Sequence, residues 1–282
     1  MKSLENKYHN PVSLWDKLLL TNQMLKSCEL CEHRCKVDRT NYKSGYCGVT
    51  NKVYVHSEFL HFGIEYDLIP SYAIFFSGCS MRCVFCSSKM GLSPNYGIPL
   101  NPQAVAQRID EAAKKGAKTV LLVGGEPSIH PQGILEIALY RESDIPLILD
   151  TNLYMTETFF DLVGGVINVY LADFKFGNDH CVQQLAGIPK YVDIIKRNLL
   201  LAQSNADLYI RHLLLPGHLK CCFQPIVDWI SENLPNTKFH LVNSYEPAYL
   251  RQKQEVLNRK ISDDELNRAQ DYAQNRHLML ID

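Results

Sequence analysis

The stretch that decides the fold is YAIFFSGCSMRCVFC, residues 72–86. Its first five residues are apolar and typical of a strand buried on both faces. Three cysteines follow directly, Cys79, Cys83 and Cys86, separated by three and two residues. Parallel β/α folds place their sites at the carboxyl ends of the strands. The spacing therefore predicts a thiolate site at the end of the first strand of such a fold.

Three thiolates on one tight loop suit an iron–sulfur cluster better than a single ion. Each can bind one iron of a 4Fe-4S cluster, and the fourth iron is then free to bind a small molecule. Zinc is the main alternative, but three thiolates without a nearby histidine make a poor closed zinc site.

The rest of the chain alternates strand and helix patterns, which predicts an α/β fold with a parallel sheet. Six strands are too few for the usual eight-stranded barrel, so an open partial (β/α)6 barrel fits best, with a doubly wound sheet as the alternative. The further strand candidates are 119–124, 146–150, 167–176, 208–215 and 238–243. The helix candidates are 11–27, 102–115, 132–141, 157–163, 190–203, 223–233 and 262–277.

We predict three regions along the chain. Residues 1–70 form an N-terminal extension that carries four cysteines, 71–250 form the partial barrel, and 251–282 form a C-terminal helical tail.

The cysteine loop resembles the defining motif of the radical S-adenosylmethionine (SAM) enzymes, including the aromatic Phe85 before the last cysteine. The resemblance implies a partial barrel of the radical SAM type. It also implies that SAM binds the open iron through its amino and carboxylate groups. An electron from the cluster would then cleave SAM to methionine and a 5′-deoxyadenosyl radical, which abstracts hydrogen from a substrate.

Further blocks resemble the branch typified by the pyruvate formate-lyase activating enzyme. The resemblance implies that a GGEP turn binds the SAM amino group and that DTN and DFK blocks hold a monovalent cation beside SAM. It places a lysine at the SAM carboxylate and an arginine of RHLLLPG at SAM or an anionic substrate. A tyrosine stands where that enzyme has a histidine. The residues so nominated are Gly124, Gly125, Glu126, Pro127, Asp150, Thr151, Asp173, Lys175, Arg211 and Tyr245.

The N-terminal cysteines predict a second metal site, because four thiolates in tight spacing are typical of metal ligation. Zinc and an auxiliary iron–sulfur cluster both fit. His33 could replace one of the cysteine ligands, but an exposed loop residue is the simpler interpretation. The four are Cys28, Cys31, Cys35 and Cys47. The isolated cysteines are expected to bind no metal, since two of them are adjacent in sequence; they are Cys181, Cys221 and Cys222.

Composition places few limits on the substrate. The net charge of −1 and pI near 6.8 do not indicate nucleic acid as a partner. No run approaches the roughly 18 apolar residues of a membrane helix, and no signal peptide is evident, so we expect a cytoplasmic protein with reduced thiols.

Three functions are compatible with these features. The first is a radical SAM enzyme acting on an unassigned small molecule, peptide or RNA, with flavodoxin or ferredoxin as electron donor. The second is an activase that installs a glycyl radical on a partner enzyme. The third is a non-catalytic zinc-knuckle metalloprotein on a β/α scaffold.

Overall fold

The structure is a computed structural model that describes residues 13–63, 65–88, 90–252 and 254–281. Its framework is a nine-stranded sheet with α-helices packed against it. The strands are β1 (Tyr54–His61), β2 (Ser71–Phe76), β3 (Ile98–Pro99), β4 (Thr119–Gly124), β5 (Leu147–Thr151), β6 (Val169–Asp173), β7 (Asp207–Leu213), β8 (Lys238–Val242) and β9 (Met279–Ile281). The α-helices are α1 (Leu14–Met24), α2 (Pro102–Lys114), α3 (Pro131–Tyr140), α4 (Glu157–Val163), α5 (Asp179–Ala186), α6 (Val192–Asn205), α7 (Gln224–Asn233) and α8 (Asp263–Asn275).

The sheet is mainly parallel. Its strand order is β3-β1-β2-β4-β5-β6-β7-β8-β9. The parallel pairs join β2, β4, β5, β6, β7, β8 and β9, each to the next. Strand β1 runs antiparallel to both of its neighbours, β2 and β3. Successive parallel strands are neighbours in the sheet, so their carboxyl ends lie along one edge in chain order. The predicted α/β class with a parallel sheet is confirmed.

All six predicted strands are present, and the structure adds elements that the sequence pattern did not show. β9 has only three residues, and α5 has eight, so neither carries much periodic signal. The ends of α5 are nevertheless well marked, since Asn178 caps its first turn and Gly187 ends it in the left-handed conformation. The predicted first helix begins at residue 11, and residues 11 and 12 lie outside the described part of the chain.

The sheet is buried on both faces, as the continuous apolar strands predict. One face packs against the helices in a large apolar core. The other face carries a smaller apolar cluster, formed by side chains that alternate with those of the large core. This smaller cluster includes the strand residues Ala73, Leu121, Ile148, Val169, Leu171 and Tyr209, together with Leu68 from the turn before β2.

The segments on either side of the central β/α units pack onto the same framework. Helix α1 contacts α3 and α4, and β1 joins the sheet beside β2. After residue 250, α8 packs on α7 and β9 extends the sheet beside β8. The division at residues 70 and 250 stays a prediction. In the described part of the chain, no helix combines the length and apolarity needed to cross a bilayer.

Two buried histidines that belong to none of the predicted site motifs make structural contacts. His130 and His212 are about 1% exposed, and each places a ring nitrogen within 2.8 Å of a backbone carbonyl, of Ser77 and Phe174 respectively. Burial lowers the pKa of His130 to about 3 and that of His212 to about 4. Both side chains are therefore neutral in the folded protein at neutral pH.

We expect these two histidines to make the fold acid-sensitive. A histidine whose folded-state pKa is depressed contributes stability above its unfolded pKa of about 6.5, and that stability is lost as pH falls toward the folded pKa. For each of these two histidines, the free energy of unfolding should fall by about 2 kcal/mol when the pH is lowered from neutral to 5. Urea denaturation at both pH values checks this. His212→Gln should show a shallower pH dependence than the wild type, and an unchanged slope would contradict the assignment.

Candidate active site

The three-cysteine loop leaves the carboxyl end of β2 and lines a cavity of about 290 Å³. Cys79 and Cys83 are buried, and Cys86 is half-buried. The backbone N–H of Met81 lies 3.4 Å from the Cys79 sulfur. The cavity also receives side chains from the ends of β4, β5, β6 and β7. Its other charged and polar lining residues include Glu126, Asp150, Asn152, Asp173, Lys175 and Arg211.

The spacing of the three thiols fits a group larger than one ion. A single tetrahedral ion with metal–sulfur bonds of about 2.3 Å holds its ligands about 3.8 Å apart. Among the described residues, one set of three or more potential ligand atoms has all its members within 4.8 Å of one another, and it does not include the thiols of this loop. The loop thiols are farther apart, yet they line a single cavity. This donor set therefore fits an iron–sulfur cluster.

The thiols of Cys79 and Cys83 are protonated when no metal is bound. Burial raises the pKa of Cys83 to about 12, against the opposing effect of Lys175 and Arg251. Burial, followed by the charge of Glu126, raises the pKa of Cys79 well above its ordinary value. Coordination deprotonates thiols outright, so cluster assembly should release protons from this loop.

The Gly124–Gly125 turn at the end of β4 is fastened to the cysteine loop. The N–H of Gly125 donates to the carbonyl of Phe76 at 2.8 Å, and the N–H of Glu126 donates to the carbonyl of Gly78 at 2.9 Å. A Cβ at position 125 would lie 2.0 Å from the Gly78 carbonyl oxygen, and Gly124 has a φ of +123°. Only glycine fits at these two positions, and both line the cavity. Pro127 starts the single 3-10 turn that follows.

The carboxylate of Glu126 joins the ends of β4 and β5. It is 1% exposed and accepts hydrogen bonds from the Thr151 hydroxyl at 2.7 Å, the Asn152 N–H at 2.8 Å and the Ser128 N–H at 3.0 Å. Burial raises the pKa of Glu126, and these donors act in the opposite direction. Glu126 and Thr151 thus hold the turn in place. The SAM contact predicted for Glu126 and the role predicted for Thr151 at the cation beside SAM stay predictions.

Glu126→Gln should destabilise the protein by about 2 kcal/mol, because the new amide N–H group has to face a backbone or hydroxyl donor in a buried site. Thr151→Val removes one donor only and should cost about 1 kcal/mol. Equilibrium urea unfolding of both variants measures the difference. A Glu126→Gln protein as stable as the wild type would contradict this network.

Arg211 on β7 joins the carboxylates at the ends of β5 and β6. Its guanidinium contacts Asp150, and its Nε lies 3.0 Å from Asp173. The Nζ of Lys175 lies 2.5 Å from the other oxygen of Asp173. All four side chains are less than a quarter exposed. The structure therefore brings together four residues that the sequence placed on three different strand ends.

The electrostatics of this cluster are set by burial and by its cations. Burial raises the pKa of Asp150 to about 7, although Arg211 opposes the shift. Burial also disfavours the charged form of Asp173, but Arg211 and Lys175 outweigh it and lower that pKa. For Lys175, Asp173 outweighs the effect of burial and raises the pKa. Since Arg211 already bridges Asp150 and Asp173, the monovalent cation stays a prediction.

Tyr245 packs behind the cysteine loop. It is 4% exposed, its hydroxyl donates to the Leu257 carbonyl at 2.8 Å, and its ring meets that of Phe85 edge-on at 6.4 Å. It lies outside the set of residues that line the cavity. Its predicted contact with SAM therefore stays a prediction, while its packing role is clear.

Two residues beside the loop were not predicted as site residues. The Nδ2 of Asn152 lies 3.7 Å from the Cys79 sulfur and 3.1 Å from the Ser80 hydroxyl. Arg251 donates from its side chain to the Cys83 carbonyl and from its backbone to that of Val84, the latter at 2.9 Å. Asn152 belongs to the DTN block and could have been found there. Arg251 follows the last central strand and carries no motif.

The N-terminal cysteines gather in the loops between α1 and β1. Cys28, Cys31 and Cys47 are buried and Cys35 is half-buried. Burial raises the pKa of Cys31 to about 12, and the other three thiols contribute to the shift, which places them close together. A Cβ at Gly45 would lie 2.2 Å from the Cys35 sulfur, so a larger residue at position 45 would displace that thiol.

His33 is half-buried and connects this region to the three-cysteine loop, residues 79–86, which is called the radical loop from here on. Its Nε2 lies 2.8 Å from the Ser80 carbonyl, and its ring stacks on Tyr46 at 3.8 Å. Arg82 donates to the Tyr46 carbonyl at 2.6 Å and lies over the same ring. The interpretation of His33 as an exposed loop residue was therefore wrong.

Comparison with known proteins agrees with this geometry. The Radical SAM superfamily matches residues 73–230. An uncharacterized protein of Methanocaldococcus jannaschii is 38% identical over 282 residues, covering 98% of this chain and 82% of its own length. The pyruvate formate-lyase 1-activating enzyme of Escherichia coli (strain K12) is 26% identical over 151 residues, 51% of this chain and 60% of that enzyme.

A solved structure supports the fold. The crystal structure of Streptococcus suis SuiB bound to S-adenosylmethionine superposes with a TM-score of 0.52 at 18% identity, covering 72% of this chain and 47% of that one. The chain belongs to the radical SAM superfamily. The predicted partial barrel of the radical SAM type is confirmed, and family membership implies a 4Fe-4S cluster and SAM as cofactors.

Proposed function

We propose that this protein reductively cleaves SAM to a 5′-deoxyadenosyl radical and uses it to abstract hydrogen from a substrate. The observation that carries the proposal is the shared cavity. Cys79, Cys83 and Cys86 line it together with the GGEP turn and the Asp150–Asp173–Lys175–Arg211 cluster. A metal-binding module without chemistry would need the cysteines but not the charged strand ends.

The cofactors are assigned to residues by the chemistry of the donors. Cys79, Cys83 and Cys86 would hold the cluster, which supplies the electron for SAM cleavage when bound. The carbonyls of the Gly124–Gly125 turn suit an amino group as acceptors. The cations of Lys175 and Arg211 suit a carboxylate. Because these groups are already fixed by hydrogen bonds and ion pairs within the protein, they orient the ligand without large rearrangement.

Anaerobic turnover tests the proposal. Protein reconstituted with iron and sulfide and mixed with SAM and dithionite should form 5′-deoxyadenosine, measured by liquid chromatography and mass spectrometry. Flavodoxin or ferredoxin should replace dithionite as the electron donor. Protein with a full iron and sulfide content that forms no 5′-deoxyadenosine would refute the enzymatic proposal.

The second candidate is the glycyl radical activase. It is favoured by the similarity to the activating enzyme of Escherichia coli, which covers half of this chain. Activity on a partner would appear as a protein-based glycyl radical in the EPR spectrum when the enzyme is mixed with a glycyl radical enzyme encoded beside it. A small-molecule, peptide or RNA substrate that carries deuterium at the abstracted position should instead transfer that deuterium to 5′-deoxyadenosine without producing a glycyl radical signal.

We propose that the N-terminal cysteines hold an auxiliary iron–sulfur cluster rather than zinc. The charges of Cys28, Cys35 and Cys47 contribute to the raised pKa of Cys31. Among the described residues, no three of these four sulfur atoms all lie within 4.8 Å of one another, whereas one tetrahedral ion would hold its sulfur ligands about 3.8 Å apart. This is the same relation seen for the radical loop, and it favours a larger inorganic group.

Metal analysis of a variant lacking Cys79, Cys83 and Cys86 tests this second site. Iron and sulfide should remain in that variant and disappear when Cys28 and Cys31 are also replaced. Zinc in place of iron, dependent on Cys28 and Cys31, would refute the auxiliary cluster.

A further inference from the structure

Three cysteines outside both predicted metal regions meet at one point. They are the residues that the sequence left without a ligand role, and the structure places the sulfur atoms of Cys181, Cys221 and Cys222 all within 4.8 Å of one another. The Cys181 and Cys221 sulfurs are 3.8 Å apart. This is the edge of a tetrahedron with metal–sulfur bonds of about 2.3 Å. The adjacency of two of these cysteines in sequence, from which no metal binding was expected, therefore does not keep the three sulfur atoms apart.

The reason lies in the local backbone. Cys221 and Cys222 belong to a π-helical turn, Leu219–Phe223, that precedes α7. Such wide turns are uncommon and are found often at functional sites. The turn is pressed against the loop after β6, where a Cβ at Gly177 would lie 2.2 Å from the Cys222 carbonyl oxygen. Only glycine at position 177 lets the two segments approach so closely.

The surroundings suit metal-bound thiolates. Cys181 lies in the first turn of α5, where the helix dipole favours negative charge. The Asn178 amide nitrogen lies 3.2 Å from the Cys181 sulfur and 3.7 Å from the Cys222 sulfur. It is also held by the Cys221 carbonyl. Such contacts orient ligands from outside the coordination sphere.

We propose that Cys181, Cys221 and Cys222 bind one thiophilic ion of the zinc class, separate from both iron–sulfur sites. Cys222 is buried and Cys221 is exposed, so the fourth position of a tetrahedral ion faces solvent and is open to water or an exogenous ligand. The ion joins α5 to the β7–α7 connection. One turn farther along α5, the Leu185 carbonyl accepts the N–H of Val84 in the radical loop at 2.8 Å. The ion therefore supports the helix that contacts the back of the radical loop, outside the lining of the cavity.

Metal counting on the full-length protein tests the proposal. The wild type purified without chelator should contain about one zinc ion per chain beyond its iron. Cys221→Ser changes an exposed residue and should lower zinc binding at least tenfold, with iron content and 5′-deoxyadenosine formation retained. Cys86→Ser is the matched control and should lose the iron bound by the radical loop while it keeps zinc. Equal zinc in Cys221→Ser and wild type would overturn the proposal.

Two further readouts separate the site from a dithiol that merely oxidises. Cobalt added to zinc-free protein should give thiolate-to-cobalt charge-transfer and tetrahedral visible bands that Cys181→Ser and Cys221→Ser both lack. Alkylation followed by mass spectrometry should show all three thiols protected until a chelator is added. A Cys181–Cys221 disulfide, or three thiols that react freely without chelator, would overturn the proposal.

Discussion

Cys83→Ala should lower 5′-deoxyadenosine formation to the background of protein-free controls. Cys83 is buried in the middle of the radical loop, and it lines the cavity with Cys79 and Cys86. No other cysteine lines this cavity among the described residues. A loop that offers two thiolates cannot hold a cluster that needs three, so loss of one ligand should remove the whole activity rather than a fraction of it.

The matched control for this prediction is Cys221→Ser, a cysteine substitution outside the loop. It should retain SAM cleavage under the same reconstitution. Circular dichroism and thermal unfolding establish that Cys83→Ala remains folded. SAM cleavage at the wild-type rate in folded Cys83→Ala would mean that the cluster is bound by other cysteines.

Arg211→Met should have the largest effect on stability, about 3 kcal/mol in the free energy of unfolding. The substitution leaves Asp150 and Asp173 as neighbouring carboxylates in a site where each is less than a quarter exposed. Removing one partner of a buried ion pair is strongly destabilising because the remaining charge is uncompensated. A lysine at position 211 cannot replace the planar guanidinium group, which contacts both carboxylates. SAM affinity should fall in parallel, since Arg211 lines the cavity.

Arg259→Met provides the comparison, because Arg259 pairs with Glu265 at a side chain that is 49% exposed. Its loss should cost about 1 kcal/mol or less. The double variant Asp150→Asn with Arg211→Met should recover part of the lost stability, since Asp150 is the carboxylate that loses its ion-pair partner, whereas Asp173 keeps Lys175. Urea unfolding that gives Arg211→Met and Arg259→Met the same small cost would contradict the role assigned to the cluster.

The sequence predicts best what is local in the chain. The radical loop, the GGEP turn and the six central strands are each specified within a few residues, and parallel strands bring their carboxyl ends to one edge. Asp150, Asp173 and Arg211 were nominated from the family resemblance, and the order of the parallel strands explains why they lie at one edge of the sheet. It did not show that the arginine bridges both carboxylates, because that depends on side-chain direction.

Contacts between distant segments were the ones that sequence reasoning missed. Glu126 lines the cavity, and its nomination as a SAM contact stays a prediction; the sequence did not show that its carboxylate also accepts hydrogen bonds from Thr151, Asn152 and Ser128. Cys181 and Cys221 are 40 residues apart. Their meeting depends on α5, which is short, and on a π-helical turn, which has no sequence signature comparable to a motif.

The most direct test of the central claim is whether SAM binds the cluster of the radical loop. The EPR and ENDOR spectra of the dithionite-reduced protein should be recorded with SAM that carries ¹⁵N in its amino group or ¹⁷O in its carboxylate. Coupling of both labels to the cluster, absent in Cys83→Ala, is the predicted result. A reduced cluster whose spectrum is unchanged by SAM and shows neither coupling would contradict the account.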